Sequence, residues 1–401
     1  MTVNRGAASD GAIPSAGGAA EQQTGVRLAM LPRRRPFELP FADDIPDLAA
    51  VILGQSCTPG QPERFGEAAV HHNVVPFVLA AVQEGRLALP ETQRRRLADG
   101  NLARVARTAL LRREASLVVP LLETACGAPP IALKGPALGD RYYPSWRHRP
   151  YADLDLMLPS QALGIAVAAL ERSGFTTVEE LRPGYVERFG HDVHVRRTTG
   201  TVSVDIELHW RMGDDRVGIP LDHAHLLRTA DRLELDDGPV LAPSVPDQLL
   251  LASIHLLSDR GKRLSWVNDI RLVAEAANDS EWQRAFETAR GCGGGLLWVL
   301  HRALDYAGHH LGLARPRPLP AGSPPVFGPL RAVEELDLKA SPHIGRLVAL
   351  RGTERLRYLQ AVAVPTRAGL EGTVGGDGAG LPTLVARHAG RALRGVTRRR
   401  D

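Results

Sequence analysis

The chain has 401 residues, 44% of them hydrophobic and 23% charged, which is ordinary for a globular protein and long enough for about two or three domains. A formal net charge of +4 and a pI near 9.2 are too mild to point to nucleic acid as a partner. Cys57, Cys126 and Cys292 lie far apart and match neither a disulfide framework nor a metal-ligand spacing, so the sequence reads as a cytoplasmic chain without disulfides.

Residues 1–40 are rich in Gly, Ala, Ser and Pro with a basic Arg33-Arg34-Arg35 cluster, and read as a disordered tail. No apolar run suits a signal sequence or a membrane span. Residues 41–125 show helical spacing, with Leu102, Ala106, Leu110, Arg113 and Leu117 as a mostly apolar stripe and with Pro90 and Gly100 as punctuation. From 126 to 212 the pattern turns α/β. Ile131–Leu133 is a short strand that ends in Gly135-Pro136, a tight turn into a helix. A polar loop, 143–150, precedes a strand over 152–158. Ser160 is placed to cap a helix that stops at Gly174. Residues 191–197 and 202–210 alternate with period 2 around Thr199-Gly200, as a hairpin does. Residues 213–312 read as a second helical region, with Leu250, Ile254 and Leu257 on one stripe. Residues 313–401 read as a Pro/Gly-rich linker, a weak helix near 343–362 and a basic helical tail with Arg387, Arg391 and Arg394.

Three segments carry chemistry. In Ala152-Asp153-Leu154-Asp155-Leu156, residues two apart on a strand lie roughly 6.6 Å apart on one face. Asp153 and Asp155 therefore project together, and adjacent carboxylates repel unless a cation sits between them. Their hard oxygens suit Mg²⁺; the alternative is a solvated acidic face. In Leu133-Lys134-Gly135-Pro136, a strand-to-helix turn exposes backbone N–H groups that suit phosphate, and Lys134 adds charge; the alternative is an ordinary tight turn. Lys134 stands out because Lys262 and Lys339 are the only other lysines. In Asp205-Ile206-Glu207-Leu208-His209-Trp210, the polar face carries Asp205, Glu207 and His209. A phosphoryl displacement assisted by two metals needs carboxylates from more than one strand. The alternative is an edge strand with one wet face.

Leu133-Lys134-Gly135, then Arg149-Pro150-Tyr151-Ala152-Asp153-Leu154-Asp155-Leu156, then Glu207-Leu208-His209-Trp210 together resemble the nucleotidyltransferase fold of the DNA polymerase β-like superfamily. More narrowly, they resemble a bacterial family of uncharacterised nucleotidyltransferases. The likeness covers roughly residues 45–310, including a helical segment from His255 through Trp266 to Asp269. Three departures stand out. Pro136 removes one N–H from the phosphate turn. The stretch 136–152 is longer than in the best-known superfamily members. Glu207 stands where Asp is common.

The resemblance implies an α+β fold, a mixed-sheet core flanked by N- and C-terminal helical regions. It implies a Mg²⁺-dependent transfer of a nucleoside monophosphate from a nucleoside triphosphate to an acceptor, with pyrophosphate released. Asp153 and Asp155 would then bind two metal ions, and Glu207 the second ion, with Asp205 as its rival. Lys134, Gly135 and Arg149 would contact the phosphates, and His209 would orient a ligand or substrate unless it is structural. The acceptor is expected to be a protein, peptide or small molecule rather than RNA, for which no basic patch with stacking aromatics is visible. Two other readings fit the same residues: an inactive nucleotide-binding module, and an antitoxin-like transferase acting on a partner protein.

Overall fold

Proline sits at the first or second position of three early helices, α1 (Ile45–Ile52), α2 (Pro62–His71) and α3 (Val75–Gln83), where its missing N–H leaves no bond unmade. This is a computed structural model, and it describes residues 39–178, 190–212, 221–236, 238–258, 261–292, 294–314 and 352–363, with a few positions between 380 and 387. The expected N-terminal tail, the linker beyond 314 and nearly all of the basic tail lie outside the described residues. The helix expected near 343–362 is described only as Thr353–Ala363.

Helix α4 (Glu91–Cys126) follows Pro90 and ends at Gly127, whose φ of +64° lets its N–H close on the Glu123 carbonyl. Gly100 lies inside α4 and does not interrupt it. The apolar stripe expected on α4 faces the wrong way: Leu102 and Leu117 are 68% and 60% exposed. The buried face instead runs through Thr108, Leu111, Ala115, Val118 and Leu122, so it is set by what α4 packs against and not by the densest run of leucine and alanine.

Strand β1 (Ile131–Ala132) leads into the short helix α5 (Gly135–Gly139), and β2 (Leu154–Met157) into α6 (Leu163–Arg172). Ser160 does not cap α6. It opens a 3₁₀ turn, Ser160–Ala162, and its hydroxyl bonds the Gln161 side chain. Gly174, at φ +84°, ends the segment as expected. Strands β3 (Thr176–Thr177), β4 (Asp192–Thr199) and β5 (Val202–His209) follow; β4 and β5 form the expected hairpin.

After α7 (His223–Thr229) come β6 (Asp231–Leu235) and β7 (Gly238–Ala242), inside the region read from sequence as helical. Each is five residues, too short for periodicity to separate strand from helix. The seven-stranded sheet runs β3-β4-β5-β2-β1-β7-β6. It is mixed: β2 pairs β5 and β1 pairs β7 in parallel, and the remaining pairs are antiparallel. Helices α8 (Val245–Ser258), α9 (Leu264–Ala276), α10 (Asp279–Gly291) and α11 (Gly294–Leu311) complete the C-terminal part. With helices over both faces of this sheet, the fold is α+β.

Alternation along the strands divides the core in two. Leu154, Leu156, Ile206 and Leu208 point to one side, where Leu111, Val118 and Leu122 of α4 and Ala166 and Leu170 of α6 cover them. Ile131, Leu133 and Met157 join a larger core with the early helices and with α8, α9 and α11. Helix α8 is buried nearly all round, as an interior helix must be when its sequence is apolar on every side. Residues 155 and 207 fall on the face opposite Leu154 and Ile206.

Candidate active site

The parallel register of β2 and β5 sets Asp155 directly opposite Glu207 and Met157 opposite His209. Strands this close hold paired side chains roughly 4.5–5.5 Å apart on one face. His209 Nε2 donates to Asp155 Oδ1 at 3.0 Å and lies 3.4 Å from Glu207 Oε2. Lys134 Nζ donates to the same Asp155 oxygen at 2.6 Å. Asp155 is buried, whereas the Glu207 side chain is 28% exposed. Asp153 is half-buried, two residues ahead of Asp155, and lines the same cavity.

The charges explain one another. Burial raises the Asp153 carboxyl, and repulsion from Asp155 and Glu207 adds to it, reaching about 6. Burial acts on Asp155 in the same sense, but the Lys134 ammonium and the His209 ring outweigh it and hold Asp155 far below the usual carboxylate range. Burial works against a proton on His209, yet hydrogen bonds to Asp155 and Glu207 carry it up to about 9. Burial also works against the Lys134 ammonium, and the nearby Asp155 and Glu207 charges reverse that and raise it. Three carboxylates thus crowd around two cations.

Gly135 has φ +32°, and a Cβ there would stand 3.1 Å from the Tyr151 ring. Close packing on Tyr151 therefore accounts for glycine at this position. Helix α5 is only five residues and Pro136 has no N–H, so the turn offers few backbone donors.

Arg149 is buried and donates from Nε and Nη2 to the two Asp269 oxygens, at 2.8 Å each; the Tyr143 hydroxyl donates to the same carboxylate at 2.7 Å. The long stretch 136–152 is thereby pinned to α9. Asp205, expected from sequence as an alternative metal ligand, is engaged elsewhere. Its oxygens accept from Arg107 Nη2 at 2.6 Å, Arg196 Nε at 2.6 Å and His194 Nε2 at 2.7 Å. Asp205 is thus held by three donors, and it is not among the residues whose ligand atoms gather at Asp155, Glu207 and His209. Trp210 is buried in the core beneath the sheet.

A cavity of about 190 Å³ opens beside Asp153 and Asp155. Lys134, Gly135 and Arg149, the residues expected to contact phosphate, line it. Arg104, Arg107, Asn73, Arg263 and Trp266 line it too, and sequence reasoning had assigned none of these to the site. Arg104 and Arg107 sit one helical turn apart on α4, a spacing too common to stand out. Arg263 and Trp266 fall in the segment already similar to the family, which was the one available signal.

Asp155, Glu207 and His209 each present a ligand atom, all within 4.8 Å of one another. Two carboxylates and an imidazole at that spacing could hold a divalent cation: with the imidazole the set suits Mn²⁺ or Zn²⁺, whereas Mg²⁺ would use the carboxylate oxygens alone. Coordination through His209 requires its Nε2 to be free of the proton it now shares with the carboxylates.

No curated protein matches the chain. Among solved structures it is similar to an antigenic nucleotidyltransferase-like protein from Paracoccidioides brasiliensis, at 18% identity over 48% of this chain and 92% of that one, with a TM-score of 0.30. Residues 58–312 match the family described as "Uncharacterised nucleotidyltransferase", and the chain belongs to that family.

Proposed function

We propose that the protein is a Mg²⁺-dependent nucleotidyltransferase of the polymerase β-like type, transferring a nucleoside monophosphate from a nucleoside triphosphate to an acceptor and releasing pyrophosphate. The observation that carries this reading is the register of Asp155 opposite Glu207, with Asp153 close by and a cationic cavity alongside. Asp153, Asp155 and Glu207 would hold the metal, with His209 on Asp155 and Glu207. The bound ions would supply neutralisation of the charge that develops on the α-phosphate and the leaving group.

The chain's own residues divide the remaining work. Buried Asp155 is fixed by Lys134 and His209 and serves as the rigid anchor. Glu207, the more open carboxylate of that facing pair, is placed to accept the acceptor's proton at its Oε atoms. Lys134 and the cavity arginines oppose the phosphate charge. The α9 carboxylate of Asp269 holds Arg149 in the cavity wall. The three free thiols support a cytoplasmic setting, and among the described residues no helix is long and apolar enough to cross a membrane.

A second reading draws on Asp155 Oδ1, which already accepts from both Lys134 and His209: a nucleotide-binding module whose internal cations stand in for the metal. Release of pyrophosphate on incubation with Mg²⁺ and nucleoside triphosphates separates the two. The first reading expects steady release and label transfer from an α-labelled triphosphate to a species in cell lysate. Tight nucleotide binding with no product over hours would remove it. A small partner protein that takes up the label would identify an antitoxin-like role.

A further inference from the structure

Five cations and two carboxylates line the cavity. Three of the five are committed: Lys134 to Asp155, Arg149 to Asp269, and Arg107 to Asp205 and the Ala152 carbonyl. Arg104 and Arg263 have no carboxylate partner among the described residues. Arg104 donates instead to the neutral Asn73 amide, and Arg263 lies over the Trp266 ring, 5.3 Å from its centroid. Asn73 reaches Arg104 from a left-handed backbone, φ +58°, and its own amide donates to the Pro150 carbonyl at 3.4 Å. Burial lowers the Arg104 guanidinium, and Arg263 and Arg149, which line the same cavity, lie close enough to repel it and lower it further. Guanidinium groups gathered in a partly desolvated cavity, two of them without a carboxylate among the described residues, favour an anion that offsets their charge.

We infer that Arg104, Arg149 and Arg263 form a diphosphate-binding subsite, in the same cavity as Asp153 and Asp155 and built jointly by the two helical regions. Arg104 comes from α4, Arg263 precedes the first turn of α9, and Arg149 leaves the 3₁₀ turn between them. Planar guanidinium forks suit phosphate oxygens in pairs. The subsite compensates for the poor donor supply of the short turn at Gly135. The inference rests on the proposed function in taking the ligand to be a nucleotide's or acceptor's phosphates, but its test needs neither metal nor turnover.

The experiment is calorimetric titration of the full chain with inorganic pyrophosphate in the presence of a chelator. Saturable binding is expected, weakened about tenfold or more by Arg104→Gln and by Arg263→Gln. Arg147→Gln removes the same charge from an exposed residue stacked on Trp146 and leaves the binding unchanged. Thermal melts establish that each variant folds; if Arg104→Gln does not, Arg263→Gln decides, since Arg263 is stacked on Trp266 and its loss removes no ion pair among the described residues. Displacement of pyrophosphate by an unhydrolysable nucleoside triphosphate assigns the subsite to the donor's tail, and simultaneous binding of both assigns it to an anionic group on the acceptor. No binding, binding unchanged in both variants, or an equal loss in Arg147→Gln would overturn the inference. Asp153→Ala is expected to retain pyrophosphate binding. A chain that binds pyrophosphate through these arginines yet transfers nothing would therefore defeat the proposed function and leave the subsite standing.

Discussion

Asp269 grips Arg149 with both oxygens at once, a buried fork-to-fork pair that ties the stretch before β2 to helix α9. Removing one partner leaves an uncompensated buried charge. Asp269→Ala should destabilise the fold by about 3–5 kcal/mol, because buried Arg149 stays charged and loses both acceptors of its fork. Urea denaturation measures this, and an unchanged midpoint would show that the pair carries no structural weight.

Asp153→Ala should lower the rate of nucleotide transfer by about 10³, equivalent to ~4 kcal/mol of transition-state stabilisation. Stability should stay level or rise, since burial and two neighbouring carboxylates work against the charged form of Asp153. Pyrophosphate release and a thermal melt on one preparation check both halves.

Glu207→Gln and Asp205→Asn should behave differently although the residues share a strand face. Glu207→Gln should weaken Mn²⁺ binding, read by the paramagnetic signal of the free ion, and abolish transfer. Asp205→Asn should leave Mn²⁺ affinity within about twofold and lower stability, because it loosens Arg107, Arg196 and His194 together. Equal loss of Mn²⁺ affinity in both variants would restore Asp205 as a ligand.

Gly135→Ala should cost about 1–2 kcal/mol, since alanine is strained at φ +32° and its Cβ meets the Tyr151 ring. A denaturation midpoint equal to that of the parent chain would contradict this close packing.

His72 sets a pH dependence. Its Nε2–H donates to the Pro40 carbonyl at 2.7 Å, and Nδ1 accepts from the Leu264 N–H at 3.2 Å, so the folded ring is neutral. Burial pushes it down to about 4. The unfolded chain takes up this proton near pH 6.5 and the folded chain only near pH 4, so stability is intact above about 6.5 and is lost as pH falls through that window. The loss approaches about 3 kcal/mol by pH 4. The stability difference between the parent chain and His72→Gln should therefore shrink between pH 7.5 and pH 4.5; a constant difference would rule out His72 as the source.

Much of the β-sheet core was legible because its signals are local. Asp155 breaks an otherwise apolar strand, which starts at Leu154 and leaves Asp153 just ahead of it, Gly135-Pro136 follows a short apolar run, and alternation over 202–210 separates the polar face from the core. Asp269 falls in the helical segment similar to the family, but its partner Arg149 lies 120 residues away and only the fold brings the two together. Local pattern failed where the deciding partner is remote. The buried face of α4 depends on β-strands and helices that follow it in the chain, so Leu102 and Leu117 misled. β6 and β7 are strands because β1 offers an edge to β7, which their five-residue patterns do not record.

The amino-acid order by itself determined which strands carry acids, where the tight turn falls and which family the motifs belong to, since each depends on residues a few positions apart. Only the tertiary structure gives Asp205 and Glu207 different surroundings. The two differ by one strand repeat, yet Asp205 is held by Arg107, 98 residues away, together with Arg196 and His194, while Glu207 faces Asp155. The same holds for the arginine-lined cavity: Arg104, Arg149 and Arg263 are scattered along the chain, and their mutual repulsion exists only once packing brings them to one wall.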